Sequence, residues 1–168
     1  MSLIKELYDN EYPFNGFNKI RETARAILLN EKNEIGLMLI QGEDYFGVRD
    51  HYESPGGGVE LNETRLDTVK REVLEEAGYV CDVEKFLGTT INRYNLIQTI
   101  TISHYYICRI KEKKTPQRMD AEVLIMKDIE FKSLNDWLQI LSDGKSKVDR
   151  LVNKREYEVI KFYQSLIQ

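Results

Sequence analysis

The amino-acid sequence predicts an α/β fold in which a mixed β-sheet is flanked by helices. Three observations point to this class: apolar strand-like runs come first, a stretch rich in Ile, Thr and Tyr follows the first helix-like segment, and the last part has a helical pattern. Strands on both sides of a helix, followed by further helices, are typical of a sheet with helices packed on it. A length of 168 residues suits one domain. We therefore expect one domain over residues 1–168, with an N-terminal extension at 1–20 and C-terminal helices at 133–168.

The first strands are predicted at residues 23–29 and 35–40, because both runs are apolar and the polar turn "NEKNE" separates them. The next stretch, "DYFGVRDHYESPGGG", is polar and rich in glycine. It indicates a strand edge that leads into a loop.

The first helix is predicted at residues 64–77. Thr64 is a suitable N-cap, Asp67 three residues later completes a weaker form of the capping box, and Gly78 fits the left-handed position that ends a helix. Apolar residues recur at helical spacing and are expected to form its buried face: Leu66, Val69, Val73 and Ala77.

The second half of the chain predicts a hairpin followed by a strand and two helices. "GTTINRYNLIQTITISHYYICRIK" alternates in polarity, which favours two strands. After the charged loop "KEKKTPQRMDAE", the run "VLIMKDIEF" predicts another strand. "SLNDWLQILSDG" predicts a short helix that begins at a Ser cap and ends at Gly144. The final segment is an amphipathic helix with an imperfect apolar stripe: Leu151, Val152, Tyr157, Ile160, Phe162 and Leu166.

Composition excludes several classes of partner and compartment. The net charge is −4, and a protein that binds duplex nucleic acid needs a basic excess to contact phosphates. No apolar run approaches the ~20 residues that span a bilayer, and we read no secretion signal in "MSLIKELYDN". Cys81 and Cys108 lie in apolar surroundings and are expected to be buried, reduced thiols. These features favour a cytoplasmic protein without a membrane partner.

Three glutamates crowd one side of the first predicted helix. At roughly 100° per residue, Glu72, Glu75 and Glu76 occupy one arc beside the apolar stripe. Like charges at this spacing repel one another and are mildly unfavourable. One interpretation is a solvated acidic face whose repulsion is diluted by Lys70 and Arg71. The other is a metal site, because hard divalent cations such as Mg²⁺ bind carboxylate oxygens and substrate phosphates together.

The spacing around these glutamates favours the metal site. Gly57 is followed after five residues by Glu63, and after seven more by the run "REVLEEAGY", residues 71–79. This pattern resembles the signature of the Nudix hydrolase family, G-x5-E-x7-R-E-U-x-E-E-x-G-U, in which U is a bulky aliphatic residue. Two positions depart from what is usual: the last U is the aromatic Tyr79, and Asn62 stands where many members have glycine.

The resemblance implies an α/β/α sandwich and a role for each matched position. By position, Glu72, Glu75 and Glu76 correspond to metal ligands for Mg²⁺ or Mn²⁺, and the carbonyl of Gly57 corresponds to a backbone ligand. Glu75 is also a candidate catalytic residue. Glu63 and Arg71 correspond to a pair that orients the catalytic glutamates. Arginine suits this task because its planar fork can bind a carboxylate at two points.

The resemblance also implies the reaction: hydrolysis of a diphosphate bond in a small nucleoside diphosphate derivative. The alternatives are a non-catalytic nucleotide sensor and an enzyme acting on RNA caps or on other diphosphates. Arg25, Arg49 and Tyr94 are candidates for binding the substrate, and Arg93 and His104 could also reach its phosphates from neighbouring strands, although each of these charged residues could instead have a surface or structural role. The family resemblance also allows a homodimer.

The resemblance implies a general base outside the signature, in a loop before a later strand. Asp120 and Glu122 end the charged loop before a predicted strand, and both can accept a proton. We favour Glu122, because at a junction between loop and strand its direction would be fixed and its side chain reaches further.

Overall fold

A computed structural model describes residues 2–168, in which eight strands form one mixed sheet. The strands are Leu3–Tyr8 (β1), Lys19–Leu29 (β2), Ile35–Asp44 (β3), Gly47–Glu53 (β4), Gly56–Gly58 (β5), Tyr79–Tyr94 (β6), Thr99–Lys113 (β7) and Met126–Lys132 (β8). The α-helices are Arg65–Glu72 (α1), Asp120–Ile125 (α2), Leu134–Ile140 (α3) and Lys147–Ile167 (α4). A π-helical turn, Val73–Ala77, continues α1.

The sheet has the order β1-β6-β7-β2-β3-β4, with β5 paired to β2 and β8 paired to β3. β1 runs parallel to β6, and β2 runs parallel to β7, whereas the other pairs are antiparallel. β1 lies within the segment expected to be an N-terminal extension, and it supplies one edge of the sheet. The mixed sheet with helices on both faces confirms the predicted fold class.

Strand β2 lies in the middle of the molecule, and its side chains are buried on both faces of the sheet. Ile27 and Leu29 pack into one buried cluster with residues of α3 and α4, including Trp137, which is fully buried. Ala26 and Leu28 point into a second cluster with the apolar face of α1. Full burial of a large apolar side chain stabilises the fold by about 1.5–3 kcal/mol. Because alternate side chains of β2 are buried in the two clusters, this one strand helps to hold the helices on both faces of the sheet.

Helix α1 begins as predicted and ends differently. Thr64 is the N-cap, and its capping box with Asp67 is present, while Gly78 takes the left-handed conformation at φ 72°. The α-helical pattern stops at Glu72 and widens into the π-helical turn, which the periodicity did not predict. Leu66 was expected in the buried face and is 46% exposed, because the capped first turn of the helix faces solvent.

The segment from 120 to 132 corrects the predicted loop and strand. Asp120 and Glu122 lie on the short helix α2, and the strand begins only at Met126. The helix forms because the carboxylate of Glu122 accepts the backbone N–H of Met119 at 2.8 Å. Arg118 then donates to the carbonyl of Met126 at 3.0 Å and holds the turn into β8.

Helix α4 buries a different stripe from the predicted one. Val152 and Ile160 are buried as expected, whereas Leu166 is 51% exposed near the end of the chain. Four polar or charged residues of the same helix are buried instead: Asp149, Asn153, Arg155 and Glu156. Asp149 and Arg155 contact His51 and Glu53 of β4, partners that an apolar periodicity cannot reveal.

Both cysteines are buried, unpaired thiols, as predicted for Cys81 and Cys108. Within residues 2–168, no helix combines the length and the apolar character needed to cross a bilayer.

Candidate metal-dependent active site

The glycine run lies directly against the acidic end of α1. β5 pairs with Thr23–Arg25 of β2, and this pairing presses its backbone onto the helix. A Cβ atom on Gly57 would lie 2.2 Å from Oε1 of Glu72, so only glycine allows this approach. The neighbouring N–H of Gly56 donates to Oε2 of Glu76 at 2.9 Å. The predicted loop is thus a short strand that fixes two of the three glutamates.

Arg71 binds Glu63 at two points. Its Nε lies 2.7 Å from Oε1 of Glu63, and its Nη2 lies 3.1 Å from Oε2. Thr68 adds a hydrogen bond to the same carboxylate at 2.7 Å. The bond from Arg71 is the main reason that the pKa of Glu63 is lowered to about 2. Glu63 therefore stays ionised and fixed in place at any ordinary pH.

The same guanidinium reaches the other carboxylates of the helix. Nη1 of Arg71 donates to Oε1 of Glu72 at 2.9 Å and to Oε2 of Glu75 at 3.1 Å. These hydrogen bonds, with the bond to Glu63 first, raise the pKa of Arg71. Arg71 thus contacts three carboxylates. Its Nη1 alone donates to two of them, those of Glu72 and Glu75.

Within residues 2–168, Glu76 has no ion-pair partner, and Glu72 has Arg71, which it shares with Glu63 and Glu75. Glu72 and Glu76 are buried, at 8% and 6% exposure, and burial is the main cause that raises the pKa of each. For Glu76 the charge of Glu72 raises the pKa further, while the N–H of Gly56 and the charge of Arg25 only partly oppose the rise. Placing ionised carboxylates here requires another cation.

The donor set fits a hard divalent cation in its chemistry. Carboxylate oxygens and a backbone carbonyl are the ligands that Mg²⁺ and Mn²⁺ prefer. In the described chain, residues 2–168, no three acidic, His or Cys side chains are already gathered around one point where an ion would fit. The guanidinium of Arg71 joins Glu72 and Glu75 instead, so an ion bound by both would take over those contacts.

Helix α2 brings Glu122 towards the acidic cluster. Its negative charge is close enough to raise the pKa of Glu72, together with the dominant effect of burial and the charge of Glu75. Asp120 lies in the first turn of α2 and is exposed. Glu122 is half-buried, and its carboxylate caps the helix at Met119. Neither acid lies at the loop–strand junction on which the choice between them was based.

The three weakly predicted substrate residues lie together around one cavity of about 220 Å³. Arg25 donates to the carbonyl of Ser54 at 2.8 Å. Arg49 lies over the ring of Phe46, 4.8 Å from its centre. The hydroxyl of Tyr94 accepts a hydrogen bond from Arg155 at 3.3 Å.

Arg93 and His104 lie outside this cavity. Arg93 pairs with Glu6 and lies over the ring of Tyr8. His104 is 1% exposed and lies 3.0 Å from Oε1 of Glu22. Both are structural residues in this fold.

Sequence reasoning missed four charged residues that line the cavity: Asp9, Arg21, Glu53 and Arg155. The alternation along β2 contains a signal for one of them, because Arg21, Thr23 and Arg25 fall on the same face of a strand. The other three follow β1 or come from β4 and α4, and only the folded chain brings them near β2.

Comparisons with known proteins agree with this arrangement. A sequence model described as the NUDIX domain matches residues 19–150. A Caenorhabditis elegans protein described as nudix hydrolase 1 is 40% identical over 68 residues, which is 40% of this chain and 18% of that protein. The match therefore spans less than a fifth of that relative's length.

Two solved structures share the fold. A NUDIX hydrolase from Nitrosomonas europaea has a TM-score of 0.66 at 15% identity, and the match covers 86% of this chain and 88% of that one. The MutT protein from Methanosarcina mazei Go1 has a TM-score of 0.65 at 18% identity, and the match covers 90% and 98% of the two chains. The similarity therefore extends over most of the molecule.

Proposed function

Because this chain belongs to the NUDIX family, we propose that it hydrolyses a diphosphate bond in a nucleoside diphosphate derivative with the help of Mg²⁺ or Mn²⁺. One observation carries the proposal: Glu72 and Glu76 are buried against the backbone of Gly57 and Gly56, and the arginine that contacts Glu72 is shared with Glu63 and Glu75. A buried acidic cluster of this kind is costly unless it binds a cation.

The chain's own residues have separate tasks in this reaction. Glu72, Glu75 and Glu76, with the carbonyl of Gly57, would hold the ion. A bound divalent cation neutralises phosphate charge and lowers the pKa of an attacking water. Arg71 and Glu63 hold the end of the helix and its carboxylates in fixed positions, so that little rearrangement is needed when substrate binds.

Glu122 is the proposed general base. Its charge acts on Glu72, and α2 carries it towards the cluster from outside the signature. Its carboxylate now caps Met119, so it would exchange that backbone N–H for a water molecule when it acts as base. Glu63 is less suited to this task, because Arg71 holds both of its oxygens.

The proposed partner is a small nucleotide-like molecule. The net charge of −4 does not favour duplex nucleic acid, and the reduced thiols favour a reducing compartment such as the cytoplasm. A homodimer stays a prediction from the family resemblance.

The test is an activity assay on a panel of nucleoside triphosphates, nucleotide sugars, ADP-ribose and dinucleoside polyphosphates with Mg²⁺ or Mn²⁺. We expect turnover of at least one member, loss of turnover with a chelator, and its return when metal is added. Products are identified by chromatography, which locates the broken bond. Tight nucleotide binding without any hydrolysis across the panel would contradict the proposal and favour a sensor.

A further inference from the structure

The cavity beside the acidic cluster has an apolar wall and a charged floor. Its volume is about 220 Å³, below the range of roughly 300–1,000 Å³ that is usual for drug-sized ligands. Phe46, Tyr94, Leu96 and Ile97 belong to its lining, and Leu96 and Ile97 are partly exposed at 45% and 38%. A space of this size with aromatic and aliphatic walls fits one ring-bearing group.

Two arginines of the cavity floor are paired with carboxylates. Arg155 lies 2.9 Å from Oε2 of Glu53 and 2.6 Å from Oε1 of Glu156, and Arg25 lies 3.5 Å from Oε2 of Glu53. Burial opposes ionisation of Glu53, but the charges of Arg25, Arg155 and His51 outweigh it and lower its pKa to about 2. Arg25 and Arg155 are therefore both paired with carboxylates, Glu53 in the cavity lining and the buried Glu156 behind it, and neither guanidinium is a free cation.

Glu53 leaves one acceptor open to a ligand. Both of its arginine contacts involve Oε2, and Oε1 makes no hydrogen bond with any residue in the range 2–168. An ionised carboxylate accepts hydrogen bonds only. The cavity can thus recognise a neutral group that offers N–H or O–H donors.

Arg21 differs from the other arginines of the cavity because its charge is not neutralised. Arg25 and Arg155 are paired in the floor, and Arg49 lies 2.9 Å from Asp44. Arg21 makes no hydrogen bond and no ion pair with residues 2–168, although Glu53 and Glu72 both lie near enough to act on it. Its guanidinium nitrogens lie 3.6 Å from the Cβ position of Gly58, next to the backbone that contacts Glu72.

Arg21 therefore stands between the acidic cluster and the cavity. A diphosphate bound at the cluster must carry its organic group past this point to enter the cavity. A free guanidinium at that place matches the geometry of phosphate oxygens, which it can bind with two hydrogen bonds.

We propose that Arg21 binds the substrate phosphate nearest the cavity, and that the cavity takes an uncharged ring-bearing group with hydrogen-bond donors, such as a single nucleoside. This inference rests on the proposed function and names the substrate side of the same site. Arg21 is a substrate-binding residue, because in the described chain it is the unpaired cation beside the acidic cluster, whereas Arg25, Arg49 and Arg155 are each paired with a carboxylate.

The test compares Arg21→Gln and Arg21→Lys with the control Lys19→Gln. Lys19 lies on the same strand, is exposed and carries the same charge, but it does not line the cavity. Binding of the four nucleoside monophosphates is measured by calorimetry in Mg²⁺, with the four matching nucleosides as phosphate-free probes. Thermal unfolding and Mg²⁺ titration of each variant show that the fold and the acidic cluster are intact.

We expect Arg21→Gln to weaken binding of the preferred nucleoside monophosphate about 10- to 100-fold, the range for hydrogen bonds to a charged group. Arg21→Lys should recover part of the loss, and Lys19→Gln should keep the wild-type affinity. With the substrate found in the panel assay, Arg21→Gln should raise KM more than it lowers kcat. Nucleoside binding should be unchanged in every variant.

Three results would overturn the inference: no monophosphate binds the wild type, Arg21→Gln binds as well as the wild type, or Lys19→Gln loses as much affinity. Failure of the proposed function is a separate outcome. If the wild type hydrolyses a diphosphate and Arg21→Gln keeps its KM, the function stands and the role of Arg21 is wrong. If the wild type hydrolyses nothing, the function fails, and the binding measurements still decide the role of Arg21.

Discussion

Asp149 and His51 are joined by a buried 2.8 Å contact between Oδ1 and Nδ1 that ties the start of α4 to β4. The same carboxylate accepts the backbone N–H groups of Asp50 and Ser146, each at 3.0 Å. One side chain thus begins the last helix and anchors it beside the cavity, to which α4 contributes Arg155.

Asp149→Asn should destabilise the protein by about 1–3 kcal/mol, because an amide offers one acceptor oxygen and leaves buried donors unpaired. Burial raises the pKa of Asp149, but its hydrogen bonds outweigh that effect and the pKa is lowered overall. Its stabilising effect is therefore present above its ordinary pKa of 3.8 and is lost as the pH falls below it. Urea unfolding at pH 7 and pH 3 measures both effects. Asp128→Asn is the control, and equal stability of the two variants at pH 7 would contradict the prediction.

Glu76→Gln should lower turnover at least about 100-fold, which corresponds to about 2.7 kcal/mol of transition-state stabilisation. The folded state should be as stable as the wild type or slightly more so, because a buried charge beside Glu72 is removed. Turnover and thermal unfolding are measured on the same preparation, with the exposed Glu31→Gln as control. If Glu76→Gln keeps more than half of the activity, Glu76 is not a metal ligand.

Arg71→Lys should lower both turnover and metal affinity, since lysine cannot make the two-pronged contact with Glu63. A second effect appears in acid. Because the pKa of Glu63 is lowered to about 2, its stabilising effect is complete above its ordinary pKa of 4.5 and is lost as the pH falls towards 2. The variant should lose stability less steeply over that range.

The control for Arg71 is its exposed neighbour, with the reverse substitution Lys70→Arg. Mg²⁺ titration, turnover and acid unfolding should all be unchanged in Lys70→Arg. If Arg71→Lys also keeps all three properties, Arg71 is an ordinary surface residue.

Glu122→Gln should lower turnover by about 10²- to 10⁴-fold and flatten the acidic limb of the pH–rate profile, as removal of a general base does. Glutamine keeps an acceptor for the N–H of Met119, so α2 should stay folded. Asp120→Asn is the matched comparison on the same helix. If Asp120→Asn shows the loss instead, the choice between them is wrong. If neither variant does, the base lies elsewhere.

Local features of the fold could be predicted from the sequence, and features that depend on distant pairing could not. Thr64 and Gly78 set the limits of the helical segment because caps act through neighbouring backbone groups. The π-helical turn has no such local signal. α2 is too short for a periodic pattern, so its apolar residues were assigned to a strand.

The same distinction applies to the site. The glutamates of the signature could be found because their spacing along one helix is fixed. Arg155 and Glu156 could not, because two adjacent charges on a helix predict a solvated face. They are buried because they pair with each other and because Arg155 also pairs with Glu53, which comes from a strand far away in the sequence.

The parallel pairing of β2 with β7 has a consequence for the order of folding. Lys19 pairs with Thr99 and Leu29 with Arg109. The centre of the sheet can therefore form only after β7 has been synthesised, and β7 follows α1 in the chain. Closing so long a loop is slow. During synthesis α1 and its glutamates can therefore form early and stay hydrated. Burial of Glu72 and Glu76 also needs the backbone of β5, which pairs with β2, so the acidic cluster is complete only once β2 has its place in the sheet.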